Sequence, residues 1–489
     1  MEKIFEMEGS SFRKKFGLFL APVAFILAYI SPLFEQNFQA HKVFSLFILV
    51  VVLWVTEALP LPITSILIPV MGIIMGITNF KESFEEFANP VIFLFLGCFI
   101  IAKGMSYHKL DERIASSILS SKFVAGNPIR ILFAFGMVTA FISMWVQNTA
   151  TTAMMLPIGY GIFLSMSSKI ETPQAKRFGI ALLLSTAYSA SIGGVGTPVG
   201  TAPNMISLGF MLKFLDKRIT FFQWMEFGLI VVFLSYLILF LFFKRYCPKT
   251  KIRVDSIIKK QGNLTNGQIN VLIIFLIVVF LWIFPGFVSI VKGAENSLYK
   301  WLNSHLPEYS VSLIGAILMF IFPTNWKKGE FTLPIKEALS IDWGTLLLFG
   351  GGLTLGGMMF KTDFTKLLAN SLVENFKISN VGILALMCII FSVILTEFVS
   401  NTATVSMFIP IVIAISESLN LNPIPSVLGA TLGASFAFVL PVSTPPNAIV
   451  YGSGLIPLVS MVKNGIVIDL IGIVIIWTVV MTVPRLIGL

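Results

Sequence analysis

Histidine and cysteine are scarce in this chain, three of each among 489 residues, and only 12% of its residues are charged. The cysteines, Cys98, Cys247 and Cys388, form an odd, scattered set with neither a disulfide framework nor a metal-ligand spacing. The histidines, His41, His108 and His305, fall in polar segments, and there is no HExxH or GxSxG motif. Metal and nucleophile chemistry are thereby disfavoured, so the expectation is a protein that is not an enzyme and requires no cofactor. Soluble domains carry roughly 25% charged residues. Here charge is replaced by apolar residues, 56% of the chain, with a mean hydropathy of +0.90.

That composition belongs to a polytopic helical membrane protein. Runs such as Val271 to Pro285 and Ile466 to Val483 approach the roughly 20 apolar residues that cross a bilayer. Period-2 alternation is weak, which argues against a β-barrel. Arg13, Lys14 and Lys15 precede an apolar run from Phe16, but no small-residue cleavage site follows, so this run reads as a first span.

The net charge of +10 is concentrated in loops. Lys103, Lys109, Arg113, Lys122 and Arg130 fill one, Lys169, Lys176 and Arg177 another. A third holds Lys244, Arg245, Lys249, Lys251, Arg253, Lys259 and Lys260. Clusters of this kind mark cytoplasmic loops. They lack interleaved aromatics, so nucleic acid is not expected as a partner. The expected location is the plasma membrane (the inner membrane of a bacterial cell), multi-pass, with the N-terminus cytoplasmic.

Polar residues inside the apolar passages are equally sparse, and they are written twice. Gln147-Asn148-Thr149-Ala150-Thr151 returns as Ser400-Asn401-Thr402-Ala403-Thr404. The shift of 253 residues also carries Gly97 onto Gly350, Gly104 onto Gly357, Met105 onto Met358, and Pro157-Ile158 onto Pro410-Ile411. A second pair follows, Gly193 to Asn204 and Leu440 to Asn447, in which a shift of 243 carries Pro198, Val199, Thr201, Pro203 and Asn204 onto Pro441, Val442, Thr444, Pro446 and Asn447. Paired interruptions at matching places in two apolar halves point to a transporter's binding site.

The expected architecture is all-α and polytopic, with about eleven transmembrane segments and two re-entrant hairpins in two inverted-topology repeats. Spans are expected near 16–33, 43–59, 62–78, 90–105, 178–212 (interrupted), 224–243, 268–290, 309–323, 343–360, 425–458 (interrupted) and 464–484, with hairpins over 130–166 and 380–418. The regions divide as 1–105 (scaffold spans), 106–243 (first transport region), 244–267 (basic cytoplasmic linker), 268–360 (second scaffold spans) and 361–489 (second transport region).

Gly and Pro in series interrupt a helix. Free backbone groups at membrane depth persist only where buried or lining a cavity. New half-helices should restart near Thr149, Asn204, Thr402 and Asn447, with Asn or Thr as caps. Each restart offers free N–H groups and a positive dipole end. No Lys or Arg occupies these places, so an anion there is met by amides, hydroxyls and N–H groups. Freed carbonyls with the Asn148 and Asn401 oxygens suit a hard monovalent cation such as sodium equally well.

At these residues the chain resembles the divalent anion–sodium symporter family, the INDY-type di- and tricarboxylate transporters, over nearly its whole length. The resemblance rests on Ser400-Asn401-Thr402, Thr444-Pro445-Pro446-Asn447 and the segment Trp54-Val55-Thr56-Glu57-Ala58-Leu59-Pro60-Leu61-Pro62-Ile63-Thr64-Ser65. It implies a secondary transporter of C4 and C5 dicarboxylates working as a homodimer by an elevator motion. It also implies one substrate carboxylate at Asn148-Thr149 and the other at Ser400-Asn401-Thr402, with Thr201, Thr444 and Pro445 shaping the pocket. The sodium region it implies comprises Gln147, Asn148, Gly200, Asn401 and Ser443.

Two positions depart from the family pattern at the first site. Gln147 stands in place of Ser, and Ala202 in place of Pro. Lys103, whose repeat-mate is Gly356, is an ionisable residue near a span and a candidate to substitute for a bound cation, its alternative being a snorkelling lysine. Gln147 and Lys103 together lean the expectation toward sodium-independent dicarboxylate exchange, with sodium-coupled symport as the alternative. Glu397, one turn before the second tip, is read as a structural or cation-proximal group, with proton carriage as its alternative.

Overall fold

The computed structural model describes residues 2–31, 33–34, 37–121, 123–124, 126–167, 172–249, 262–293, 295–376 and 380–488. Lys122, Lys169, Lys251, Arg253, Lys259, Lys260 and most of the expected basic linker lie outside the described residues. The described chain is almost entirely helical, its only sheet a pair of very short strands at 323–331.

Among the described residues, eight helices are long and apolar enough to cross a membrane, or nine if the bent pair Ser297–His305 and Glu308–Ile321 counts as one span. Two of the eight, Asn148–Met166 and Asn401–Ser418, are return arms of hairpins. The expected number near eleven is recovered by adding shorter or interrupted elements. These are Glu2–Ile30, Leu61–Ile74, the bent pair, and the broken helices Thr172–Gly194 with Ala202–Leu215 and Pro423–Gly433 with Pro445–Tyr451.

Both hairpins form where the polar words predict them. The outward arms are Pro128–Ser143 and Val381–Thr396, and the return arms begin at Asn148 and Asn401. Each outward arm starts behind an asparagine N-cap, Asn127 accepting from the Ile129 N–H and Asn380 from the Ile383 N–H, again 253 residues apart. The repeat is therefore one of caps and arm lengths as well as of words.

The chain divides into two units. One comprises residues 1–92, 206–218 and 342–434, and contains the second hairpin. Its core gathers Leu53, Trp54, Ile68, Met358, Phe364, Val399 and Met407. Helix Trp343–Lys361 lies close against its neighbours because of its glycines: a Cβ on Gly351 would fall 2.5 Å from the Ser65 carbonyl oxygen, and one on Gly352 3.0 Å from the Ser406 side chain. Small residues of this kind let membrane helices approach closely.

The other unit comprises residues 93–205, 219–341 and 435–489, and contains the first hairpin, the first break and the second break. Its return arm Asn148–Ser167 runs antiparallel to Thr172–Gly194, with Gly194 opposite Asn148, Gly159 opposite Leu183 and Gly179 opposite Phe163. The half-helix Pro445–Tyr451 packs against both of these helices. In this unit, then, the last half-helix packs on both the first return arm and the helix that leads into the first break.

Candidate functional site

Each tip is closed by a hydroxyl five residues before its asparagine. Ser143 Oγ donates to Asn148 Oδ1 at 2.7 Å, and Thr396 Oγ1 donates to Asn401 Oδ1 at 2.8 Å. Ser143 and Thr396 are themselves repeat-mates, so the two halves build the same device from different side chains. The Thr396 hydroxyl also lies 2.8 Å from the Ala434 carbonyl, so its single proton has two acceptors. Ser400 caps the second return arm by accepting from the Ala403 N–H at 3.2 Å. Gln147 stands at that position in the first tip, half-buried like Asn148 and Thr149.

The first break is fastened to the first tip. Thr197 Oγ1 donates to the Met144 carbonyl at 2.5 Å. Gly194 faces the Asn148 carboxamide so closely that a Cβ there would lie 2.4 Å from Oδ1. Gly200 turns back on the same point, where a Cβ would meet the Gly194 oxygen at 2.5 Å and the Ser143 oxygen at 3.0 Å. The result is a set of carbonyl, carboxamide and hydroxyl oxygens around one spot with no charged side chain.

The asparagines expected as caps at the breaks do something else. Asn204 Nδ2 reaches back ten and seven residues to donate to the carbonyls of Gly194 at 3.0 Å and Thr197 at 2.8 Å. Asn447 Nδ2 does the same to Ala437 at 2.8 Å and Leu440 at 3.0 Å. Both are fully buried, and they answer carbonyls in the stretches where the regular helical bonding is interrupted, those of Thr197 and Leu440 being shared with the Gly200 and Ser443 N–H groups. The cap of the last half-helix is Thr444, whose Oγ1 accepts from the Asn447 N–H at 3.4 Å. A further carbonyl of each break is held by an aromatic donor: Trp224 Nε1 to Val195 at 3.0 Å, and Tyr188 OH to Phe438 at 2.9 Å.

The structure groups the sequence-selected residues by unit. Asn148, Thr149, Thr201, Thr444 and Pro445, with Gln147, Gly200 and Ser443, belong to the unit holding both breaks; Ser400, Asn401 and Thr402 belong to the other. Thr444 and Ser443 are only 5% and 4% exposed and spend their hydroxyls internally, Ser443 Oγ donating to the Leu440 carbonyl at 2.9 Å. Sequence reading missed Ser143, Thr396, Trp224 and Tyr188. The 253-residue register that links Ser143 to Thr396 was a signal for the first two.

Lys103 is not at the tip. Its Nζ pairs with Glu337 Oε2 at 3.0 Å, both side chains about a third exposed (31% and 36%). The charge has a carboxylate partner, which removes the ground for treating it as a fixed stand-in for a cation. Partly exposed ion pairs contribute about 0–1 kcal/mol. Lys103→Gln should accordingly leave the sodium dependence of transport within about two-fold of the unmodified protein, a change of less than ~0.5 kcal/mol by the free-energy scale of affinities, as checked by uptake against sodium concentration. Glu397 is buried near the second tip.

No group of three or more His, Cys, Asp or Glu side chains that could hold a metal occurs among the described residues. Oxygen ligands of hydroxyl, carboxamide and backbone type suit a hard monovalent ion, and free N–H groups at half-helix heads suit a carboxylate.

Comparison with known proteins gives the same class. The chain is 35% identical over 463 residues to an uncharacterized transporter of Haemophilus influenzae, covering 93% of each. It is 33% identical to the sodium-dependent dicarboxylate transporter SdcS of Staphylococcus saprophyticus, over 97% of this chain and 92% of that one. It is 30% identical to sodium-dependent high-affinity dicarboxylate transporter 3 of Caenorhabditis elegans, over 86% and 79%. Among solved structures, the YdaH transporter of Alcanivorax borkumensis shares the fold at a TM-score of 0.57 and 14% identity, over 81% of this chain and 85% of that one. MtrF of Neisseria gonorrhoeae does so at 0.53 and 10%, over 82% of each. With residues 14–489 matching the family described as the sodium:sulfate symporter transmembrane region, the chain belongs to that family and is a multi-pass membrane transporter, not an enzyme.

Proposed function

We propose that this protein is a sodium-coupled symporter of C4 and C5 dicarboxylates such as succinate, fumarate, malate and 2-oxoglutarate. The observation that carries the reading is the duplicated hydroxyl–carboxamide pair at the head of a half-helix, Ser143 with Asn148 and Thr396 with Asn401. Two such heads give the chain two carboxylate-sized anion sites, the number a dicarboxylate has. The names of the relatives support both the substrate class and the ion.

The residues fit sodium as coupling ion. Asn148, Ser143 and the carbonyls of the first break would hold it in one repeat, and Asn401, Thr396 and the Ala434 carbonyl in the other. Bound there, the ion supplies the driving gradient and a positive charge beside the anion. Exchange, toward which Gln147 and Lys103 lean the sequence reading, loses one of its two supports with the pairing of Lys103 to Glu337, and the names of the relatives favour symport. A homodimer, an elevator motion, residence in the plasma membrane and a cytoplasmic N-terminus complete the proposal, on the strength of the family resemblance and the basic loops.

Purified protein in proteoliposomes tests it. Empty vesicles should accumulate succinate under an inward sodium gradient and take up little when the gradient is absent. Uptake confined to vesicles preloaded with dicarboxylate, and indifferent to sodium, would return the protein to exchange.

A further inference from the structure

The two tips are held unequally. Between its hydroxyl and its asparagine each carries one aromatic residue, Trp145 in the first and Phe398 in the second, again 253 residues apart. Phe398 is 62% exposed and meets no other ring among the described residues. Trp145 is instead the end of an aromatic stack. Its ring lies 6.2 Å from that of Phe221 at an interplanar angle of 15°, and Phe221 in turn lies 4.5 Å and 19° from Trp282. Phe275 stands edge-to-face against Trp145 at 5.0 Å and 89°. Phe221 opens the helix Phe221–Lys244, and Phe275 and Trp282 sit two helical turns apart on Asn266–Lys292, all in the unit that contains the first tip. The far end of the stack is pinned by Glu308, whose carboxylate accepts the Phe221 N–H at 2.6 Å and whose carbonyl accepts Trp282 Nε1 at 3.1 Å. The Trp145 indole N–H is buried and has no hydrogen-bond partner. Buried tryptophans usually spend that donor, so this contact rests on the ring alone.

We infer that Trp145 is a positioning residue for the first tip, setting the place of Ser143 and Asn148 and through them the affinity for the coupling ion. The inference rests on the sodium-symport reading above. Trp145 lies two residues after Ser143 and three before Asn148, so a tip this short cannot shift its hydroxyl or its carboxamide without dragging the ring between them. The ring is held by Phe221 and Phe275, and the carbonyl just before it, that of Met144, is held by Thr197. Ligands of a bound ion keep their geometry when the residues behind them are fixed by packing. Phe398 gives the second tip no such anchor, and the two cation sites should therefore respond differently to loss of their aromatic residue.

Succinate uptake into proteoliposomes, measured against sodium concentration, tests it. Trp145→Ala should raise the sodium concentration for half-maximal uptake roughly five- to ten-fold, the scale of one aromatic pair, while kcat at saturating sodium changes less than about two-fold. Trp145→Phe keeps a ring and loses only the unpaired N–H, so its half-saturation should stay within about two-fold of the unmodified protein. Phe275→Ala should shift half-saturation in the same direction as Trp145→Ala, and the two together should shift it by less than the sum. Phe398→Ala should leave it unchanged. A merely structural role would lower the amount of active protein, and with it the maximal rate, at an unaltered half-saturating sodium concentration; that result for Trp145→Ala would overturn the inference. So would a Trp145→Phe variant as impaired as Trp145→Ala, which would assign the effect to the indole N–H. Should the unmodified protein show no sodium-driven uptake, the symport reading falls first and this inference with it; sodium-driven uptake whose sodium dependence Trp145→Ala leaves intact removes this inference alone.

Discussion

Asn148→Ala and Asn401→Ala should each lower sodium-driven succinate transport about a hundred-fold while leaving a folded, monodisperse protein. Each asparagine supplies the oxygen on which its tip hydroxyl closes, at 2.7 Å from Ser143 and 2.8 Å from Thr396. Removing Asn148 leaves the buried Ser143 hydroxyl without that acceptor, at about 1–3 kcal/mol, whereas Thr396 keeps the Ala434 carbonyl; either change takes away a carboxamide from the proposed anion and cation sites. A loss of about 2.7 kcal/mol is a hundred-fold in affinity. The tips are half-buried and the arms on either side stay packed, so the defect should fall on transport rather than folding. Uptake, binding of labelled succinate and elution in detergent check the three parts. Near-normal uptake by well-expressed variants of both asparagines would sink the assignment of the tips.

The second large effect is expected on stability. Asn204→Ala and Asn447→Ala should each lower the thermal stability of the detergent-solubilised protein, because they strip the buried Gly194 and Ala437 carbonyls of their amide donors, while Thr197 and Leu440 keep the Gly200 and Ser443 N–H groups. At about 1–3 kcal/mol for an unsatisfied buried group, the loss is roughly 1–3 kcal/mol per variant. Leu in place of either asparagine should do no better, since size without an N–H donor does not answer a carbonyl. The measurement is a thermal unfolding curve of each variant beside Lys103→Gln as a surface control. If the asparagine variants melt with the control, the clasps are incidental and the breaks are held by Trp224 and Tyr188 alone.

Much of this architecture was legible because its signals are local. Apolar length marks a span, and Gly or Pro in series marks a break, so the return arms begin at Asn148 and Asn401, one residue from the expected Thr149 and Thr402. The two interruptions were equally plain in the runs from Gly193 and Leu440. What escaped were partners brought together by the fold. Lys103 looks unattached in sequence because Glu337 is far away along the chain, and that omission set it beside Gln147 in favour of exchange. Asn204 and Asn447 looked like helix caps because Asn commonly is one. Only the unwound carbonyls behind them, positioned in three dimensions, make the reverse direction the better use of their amides.

The hydroxyl at each tip has a kinetic meaning as well as a structural one. Ser143 and Thr396 each place a proton on the very carboxamide oxygen proposed as a cation ligand. Freeing that oxygen takes a turn about one Cβ–O bond, with the backbone of the tip left where it is. Collective domain motions, by contrast, move whole elements and take microseconds to milliseconds. The hydroxyl proton is thus a placeholder: it occupies the carboxamide oxygen and can be withdrawn without moving the backbone of the tip. Thr396, with the Ala434 carbonyl as a second resting place for its proton, has somewhere to turn at once.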